Sequence, residues 1–188
     1  MLGVILFYEL PPLLALRLSQ PRFWFYAVLY PITPVMLLIL LVVQYRSMCW
    51  LLPLYPYFAA WAVDMGGYFV GNLIGHHKCF PVISPKKTWE GLVGSVLVLL
   101  AFHLLLGWWY EIPYTYLMLG GLTMFIAGTA IAGDLFVSFL KRRVGIKDTG
   151  TLLPGHGGLL DRFDSVLFVV VAVQMLLAFE PRLLLQLG

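Results

Sequence analysis

The chain has 188 residues, of which 61% are hydrophobic and only 11% charged, and its formal net charge is +3. With a mean hydropathy of +0.91 it lacks the polar surface that a water-soluble domain of this length needs, so a soluble globular enzyme is excluded and an all-α, polytopic integral membrane bundle is expected. The bases gather at the ends of apolar segments instead of forming an extended basic face, which argues against nucleic acid as a partner.

In chain order, residues 1–18 are apolar but interrupted by Glu9, Pro11 and Pro12. They have neither the basic start nor the small-residue cleavage site of a signal peptide, and they form a candidate sixth span or an interfacial segment. Five firm transmembrane helices are predicted, over 23–45, 50–74, 90–110, 114–140 and 161–179, in a single domain covering 1–188. A polar loop is expected over 75–88, and Glu111, Ile112 and Pro113 make a tight turn between the third and fourth spans. Cys49 and Cys79 lack metal-ligand spacing and are assigned neither a metal nor a disulfide. His103, deep in a lipid-like span, reads as an interhelical hydrogen-bonding residue, and Gly66, Gly67, Gly71 and Gly75 read as points of close helix packing.

Two acids stand inside predicted spans. Asp64 and Asp134 each cost at least roughly 2.5 kcal/mol to insert, so each needs a partner, a cavity or an ion. From Asp134 the chain becomes unusually rich in charge. On a helix, Asp134, Ser138, Lys141 and Arg142 fall at i, i+4, i+7 and i+8, so a carboxylate, a hydroxyl and two cations share a stripe. A polar loop over 147–158 follows, in which Gly155, Gly157 and Gly158 let backbone N–H groups approach an anion. Asp161 and Asp164 then lie at i, i+3 in the first turn of the last predicted helix, an arrangement suited to a hard cation. The bland reading of Lys141, Arg142 and Arg143 is a flank that ends a span.

The basic loops around Lys78 to Lys87 and Lys141 to Lys147 are separated by two predicted spans and therefore share a side. By the positive-inside rule that side is the cytoplasm, the inner-membrane face if the source is bacterial.

These residues carry a resemblance. The order S-x-x-K-R, K-D and H-G-G-x-x-D-R-x-D is filled by Ser138, Lys141, Arg142, Lys147, Asp148, His156, Gly157, Gly158, Asp161, Arg162 and Asp164, and it resembles the signature of the CDP-diacylglycerol synthases, or phosphatidate cytidylyltransferases. The segment Ser84-Pro85-Lys86-Lys87-Thr88-Trp89-Glu90-Gly91 is similar to that family's S-P-K-K-T-x-E-G, and Asp64 to Gly71 to its D-x-x-A-Y-x-x-G helix, with Gly67 in place of Ala. The likeness covers about residues 60–180, and the chain looks like a member shortened at its N-terminus.

The resemblance implies transfer of a cytidylyl group from CTP to phosphatidate, giving CDP-diacylglycerol and pyrophosphate in phospholipid biosynthesis. It implies Mg²⁺ held by Asp134, Asp161 and Asp164, with a second cation left open. Lys141 and Arg142 join those acids as catalytic residues. Phosphate contacts fall to Ser84, Lys86, Lys87, Lys141, Arg142, Lys147 and Arg162. Asp64, Ser138, Asp148, His156, Gly157 and Gly158 complete the substrate site, and a homodimer is left open. No general base is needed, because phosphatidate is already largely ionised. The alternatives are a CTP-dependent transferase for another lipid phosphate or a polyprenol, a non-catalytic membrane scaffold, and a transporter. The transporter is disfavoured, because the outer half of the spans offers almost no acids.

Overall fold

The computed structural model describes residues 1–45, 51–150 and 157–179. Its helices are α1 (Leu2–Leu14), α2 (Pro21–Tyr45), α3 (Tyr55–Ile74), α4 (Trp89–Trp109), α5 (Tyr116–Arg143) and α6 (Leu160–Phe179). A short antiparallel hairpin, β1 (Lys78–Phe80) and β2 (Ser84–Thr88), lies between α3 and α4, with Lys78 opposite Thr88 and Phe80 opposite Ser84. The chain is therefore an integral membrane helical bundle with a two-stranded ribbon where the sequence reading expected only a polar loop.

The span count also needs correcting. Among the described residues four helices, α2, α4, α5 and α6, are both long and apolar enough to cross a membrane, where five were expected. The helix that drops out is α3. At 20 residues it is about 30 Å long, but Asp64, Asn72, three glycines and several tyrosines dilute its apolar character. α1 is apolar but shorter than a crossing.

Two apolar clusters hold the bundle together. The larger joins α3, α4, α5, α6 and the end of α2 around the fully buried Leu52, Tyr55, Leu99, Ile126 and Val170. The smaller packs Ile5, Leu10 and Leu13 of α1 and Phe23 of α2 against Val137, Leu160 and Leu167. Within the larger cluster His103 is fully buried, 2.7 Å from the Tyr55 hydroxyl and 2.8 Å from Thr123 Oγ1. It is thus the interhelical hydrogen-bonding residue expected of a polar group in a lipid-like span.

α3 and α4 approach until their backbones touch. A Cβ on Gly66 would stand 2.5 Å from the Gly94 carbonyl oxygen, and one on Gly94 would stand 2.5 Å from Val70 Cβ. Ser95 Oγ, near this seam, donates to the Val63 carbonyl at 2.7 Å. A Cβ on Gly67 would come within 2.8 Å of that hydroxyl, which is a physical reason for glycine where the similar motif has alanine.

The start of α4 is built by its own sequence. Thr88 is its N-cap, accepting from Gly91 N at 3.1 Å, and Glu90 adds an acid to the first turn. Glu90 also reaches back to His77, Oε1 to Nδ1 at 2.6 Å, and Trp89 N donates to the His77 carbonyl. The hairpin is thereby pinned to the helix that it precedes.

Replacing Gly66 by alanine gains about 1 kcal/mol of helix propensity. The obstructing atom is backbone, so the helices must separate, at a cost of about 1 to 3 kcal/mol. The net effect is a loss of up to about 2 kcal/mol, so Gly66→Ala is expected not to raise the thermal unfolding midpoint in detergent, and a raised midpoint would refute the close approach.

Candidate active site

The loop and helix termini at one membrane edge build two adjoining polar clusters. The first lines a cavity of about 480 Å³ between α3, α4, α5 and the hairpin. Asp64, Tyr68 and Asn72 face it from α3, Lys78, Lys86 and Lys87 from the hairpin, and Asp134 from α5. Lys87 Nζ pairs with Asp134 Oδ2 at 2.6 Å, with both side chains about a quarter exposed. Ser138, one turn along α5, donates to Asp134 Oδ1 at 3.3 Å, as the i, i+4 stripe requires.

Asp164 reaches the same neighbourhood from α6. A Cβ on Gly133 would lie 2.7 Å from the Asp164 carbonyl oxygen, so this glycine lets α6 lie against α5 beside Asp134. Asp164 is buried and accepts from its neighbour's Ser165 N at 2.7 Å, and its carboxylate feels both Asp134 and Asp64 electrostatically. Asp64, reachable because it borders the cavity, feels Asp134 and Lys87, and Ser165 stands within hydrogen-bonding reach of it. Asp134 is ion-paired with Lys87, and Asp64 borders the same cavity.

The second cluster is organised by Asp161. Its Oδ1 accepts from Lys141 Nζ at 2.8 Å, and both side chains are 11% exposed. Its Oδ2 accepts from Thr149 N at 2.8 Å, Gly158 N at 2.9 Å and Thr149 Oγ1 at 3.1 Å. Asp161 is therefore occupied in holding the loop onto α5. The expected grouping of Asp134, Asp161 and Asp164 takes a different form here, with Asp64 beside Asp134 and Asp164 and with Asp161 turned toward Lys141. Among the described residues no group of three or more His, Cys, Asp or Glu side chains is gathered at metal-binding distance.

Two loop glycines are needed where they stand. Gly157 has φ +79°, in the left-handed region, and a Cβ there would meet Asp161 Oδ2 at 3.0 Å and Asp148 at 3.5 Å. A Cβ on Gly158 would lie 2.1 Å from Thr149 Oγ1. Arg142 ties this end of α5 to the hairpin, Nε to the Ile83 carbonyl at 3.3 Å. Ser84 pairs within the hairpin and, like Lys147, Asp148 and Arg162, is not part of the cavity lining. His156 lies outside the described residues, as does Cys49.

The residue that sequence reasoning passed over is Glu9. It is 1% exposed, and its carboxylate accepts from Leu159 N at 2.6 Å, Leu160 N at 2.7 Å and Thr149 Oγ1 at 3.3 Å. A carboxylate on the first amides of α6 satisfies donors that a helix start leaves free and complements the helix dipole. The sequence did contain a signal. Glu9 lies on the same buried stripe of α1 as Ile5, Leu6, Leu10 and Leu13, so an acid stood at a core position of an apolar helix. Asn72 and Thr149 were also missed, since no charge pattern or motif position marked them, whereas Tyr68 fills a motif position and Lys78 lies in the basic loop, and neither was assigned to the site.

Comparison with known proteins supplies the class. The sequence profile described as the cytidylyltransferase family matches residues 2–179, and the chain belongs to that family. It is 44% identical over 118 residues to a phosphatidate cytidylyltransferase of Bacillus subtilis, covering 63% of this chain and 44% of that protein. It is 41% identical over 124 residues to the phosphatidate cytidylyltransferase of Staphylococcus aureus, covering 66% and 48%. The chain spans about half the length of the curated relatives that it matches.

Glu9→Ala strands the Leu159 and Leu160 amides in a buried place and is expected to cost about 1 to 3 kcal/mol. Glu9→Gln, which keeps one acceptor oxygen, should cost less. Unfolding midpoints in detergent check this order, and equal midpoints for parent and both variants would remove Glu9 from the junction.

Proposed function

We propose that the chain transfers a cytidylyl group from CTP to phosphatidate at the cytoplasmic membrane edge, forming CDP-diacylglycerol and releasing pyrophosphate. The observation that carries this reading is the 480 Å³ cavity, in which Lys78, Lys86 and Lys87 stand opposite Asp64 and Asp134. Its ammonium groups suit a triphosphate, and the hairpin lysines in its lining would also meet a lipid phosphate. Family membership and the names of the relatives support the same assignment.

In this reaction a phosphatidate oxygen bonds to the α-phosphorus of CTP while the bond from that phosphorus to the β-phosphate oxygen breaks. The attacking oxygen is already ionised, so the protein's task is to let two anions meet. Lys86 has no ion-pair partner among the described residues and is exposed on the strand beside Lys87. It neutralises nucleotide phosphates directly. Lys87 does so while holding Asp134 in place. Asp64 and Asp134 border the cavity with carboxylate oxygens, and one or two carboxylates plus substrate phosphates are what a hard divalent cation takes. When bound there, Mg²⁺ supplies charge neutralisation on the phosphate oxygens and the departing pyrophosphate. Asp161 serves instead as the anchor that fixes Lys141 and the loop around Thr149 and Gly158.

Purified protein with phosphatidate, Mg²⁺ and CTP labelled at the α-phosphate is expected to yield a lipid-soluble labelled product. Lys86→Ala should lower kcat/KM for CTP by about 1.5 to 3 kcal/mol, roughly ten- to a hundredfold, with an unchanged unfolding midpoint. No lipid-soluble label from folded protein would refute the reading, and label entering only with a polyprenol phosphate would move the acceptor to that class.

The sidedness is tested separately. Val82→Cys in the hairpin and Lys147→Cys after α5, each in a background without Cys49 and Cys79, should both resist an impermeant thiol reagent added outside sealed cells. Both should react after permeabilisation. Reaction of either before permeabilisation would contradict a cytoplasmic site.

A further inference from the structure

A second cavity, of about 340 Å³, lies between the exit of α1, the start of α2 and the end of α5. Leu13 and Leu14 of α1 and Leu140 of α5 give it an apolar floor, while Arg22, Tyr26 and Arg143 supply the polar part of its lining. Arg22 is the second residue of one membrane-spanning helix and Arg143 the last residue of another. Both therefore stand at the depth where the hydrocarbon of a bilayer gives way to its headgroups.

Neither guanidinium pairs with a carboxylate among the described residues. An arginine at the end of a span is ordinary, and each alone would be a topology flank. Here both, although exposed, border one cavity with an apolar floor, so an anion seated there would meet two cations above an apolar surface. The fork of a guanidinium matches phosphate oxygens in pairs, and the leucines beneath accept methylenes.

This place is not the reaction cavity. Arg143 comes nine residues after Asp134, about two and a half helical turns, and so faces the opposite side of α5. We propose that it is a binding site for one anionic glycerophospholipid, with its phosphate between Arg22 and Arg143 and the upper acyl chains on Leu13, Leu14 and Leu140. The lipid fastens α1 to the ends of α2 and α5, the same helix whose Glu9 holds the start of α6. The assignment does not depend on cytidylyl transfer.

The test uses phosphatidylglycerol, which lacks a phosphomonoester, so that occupancy of the reaction cavity does not contribute. Native mass spectrometry of the purified chain should show one retained phosphatidylglycerol and no comparable retention of phosphatidylcholine. Arg22→Gln combined with Arg143→Gln should lower that occupancy at least tenfold. Arg17→Gln, which removes one positive charge outside the cavity lining, should leave it unchanged. Leu14→Trp, which fills the floor and keeps both guanidinia, should also expel the lipid, and it tests the site even if the double variant does not fold. Undiminished retention in the folded double variant or in Leu14→Trp would overturn the proposal, and so would an equal loss in Arg17→Gln. Inorganic phosphate displacing the lipid at equal concentration would show a free-anion site instead. A dimer that forms without lipid and is lost in the double variant would show that a second copy fills the cavity.

Discussion

Where the two long helices α5 and α6 meet the membrane edge, the structure depends on Lys141 and Asp161. An ammonium and a carboxylate, each 11% exposed, stand 2.8 Å apart. Removing one partner of a buried pair leaves an uncompensated charge and costs about 3 kcal/mol or more. The pair therefore fixes how the end of α5 meets the start of α6. Asp161 also accepts from the backbone of Thr149 and Gly158, so the loop between those helices closes onto the same carboxylate. Glu9 completes the junction from the other end of the chain by taking the next amides of α6.

Because Asp161 and Glu9 satisfy the loop, the other acids are free to serve the cavity. Gly133 lets α6 lie against α5 at the Asp164 backbone, one residue before Asp134, and Asp64 borders the cavity that Asp134 also lines. Glycine at the α3–α4 seam does comparable work on the opposite wall. In an apolar bundle, where a buried polar group without a partner is costly, close backbone contact is what allows several acids to share one polar space with Lys87. The bundle is thus rigid where helices touch through glycine and polar where they part.

α5 carries different chemistry on its two sides. Asp134, Ser138 and Lys141 present oxygen and ammonium groups toward the reaction cavity and the loop junction, while Leu140, Arg143 and Val144 border the second cavity. The sequence order K-R-R placed three adjacent cations on three different tasks: Lys141 on Asp161, Arg142 on the Ile83 carbonyl, and Arg143 at the second cavity.

Composition and hydropathy were enough to specify a helical membrane bundle, because an apolar chain in lipid must satisfy its backbone within helices. The local stripe Asp134-Ser138-Lys141 and the capped start of α4 at Thr88 were also legible, since helix periodicity and capping depend on neighbours in sequence. The exclusion of α3 from the apolar spans was legible in principle, through Asp64, Asn72 and its glycines. What only the tertiary structure decided was the company each charge keeps. Asp161 pairs with Lys141, Asp134 pairs with Lys87, and Glu9 reaches residues about 150 positions away. Pairings of that kind are set by where helices cross and where glycine lets them touch, and neither periodicity nor spacing along one chain encodes the partner across the crossing.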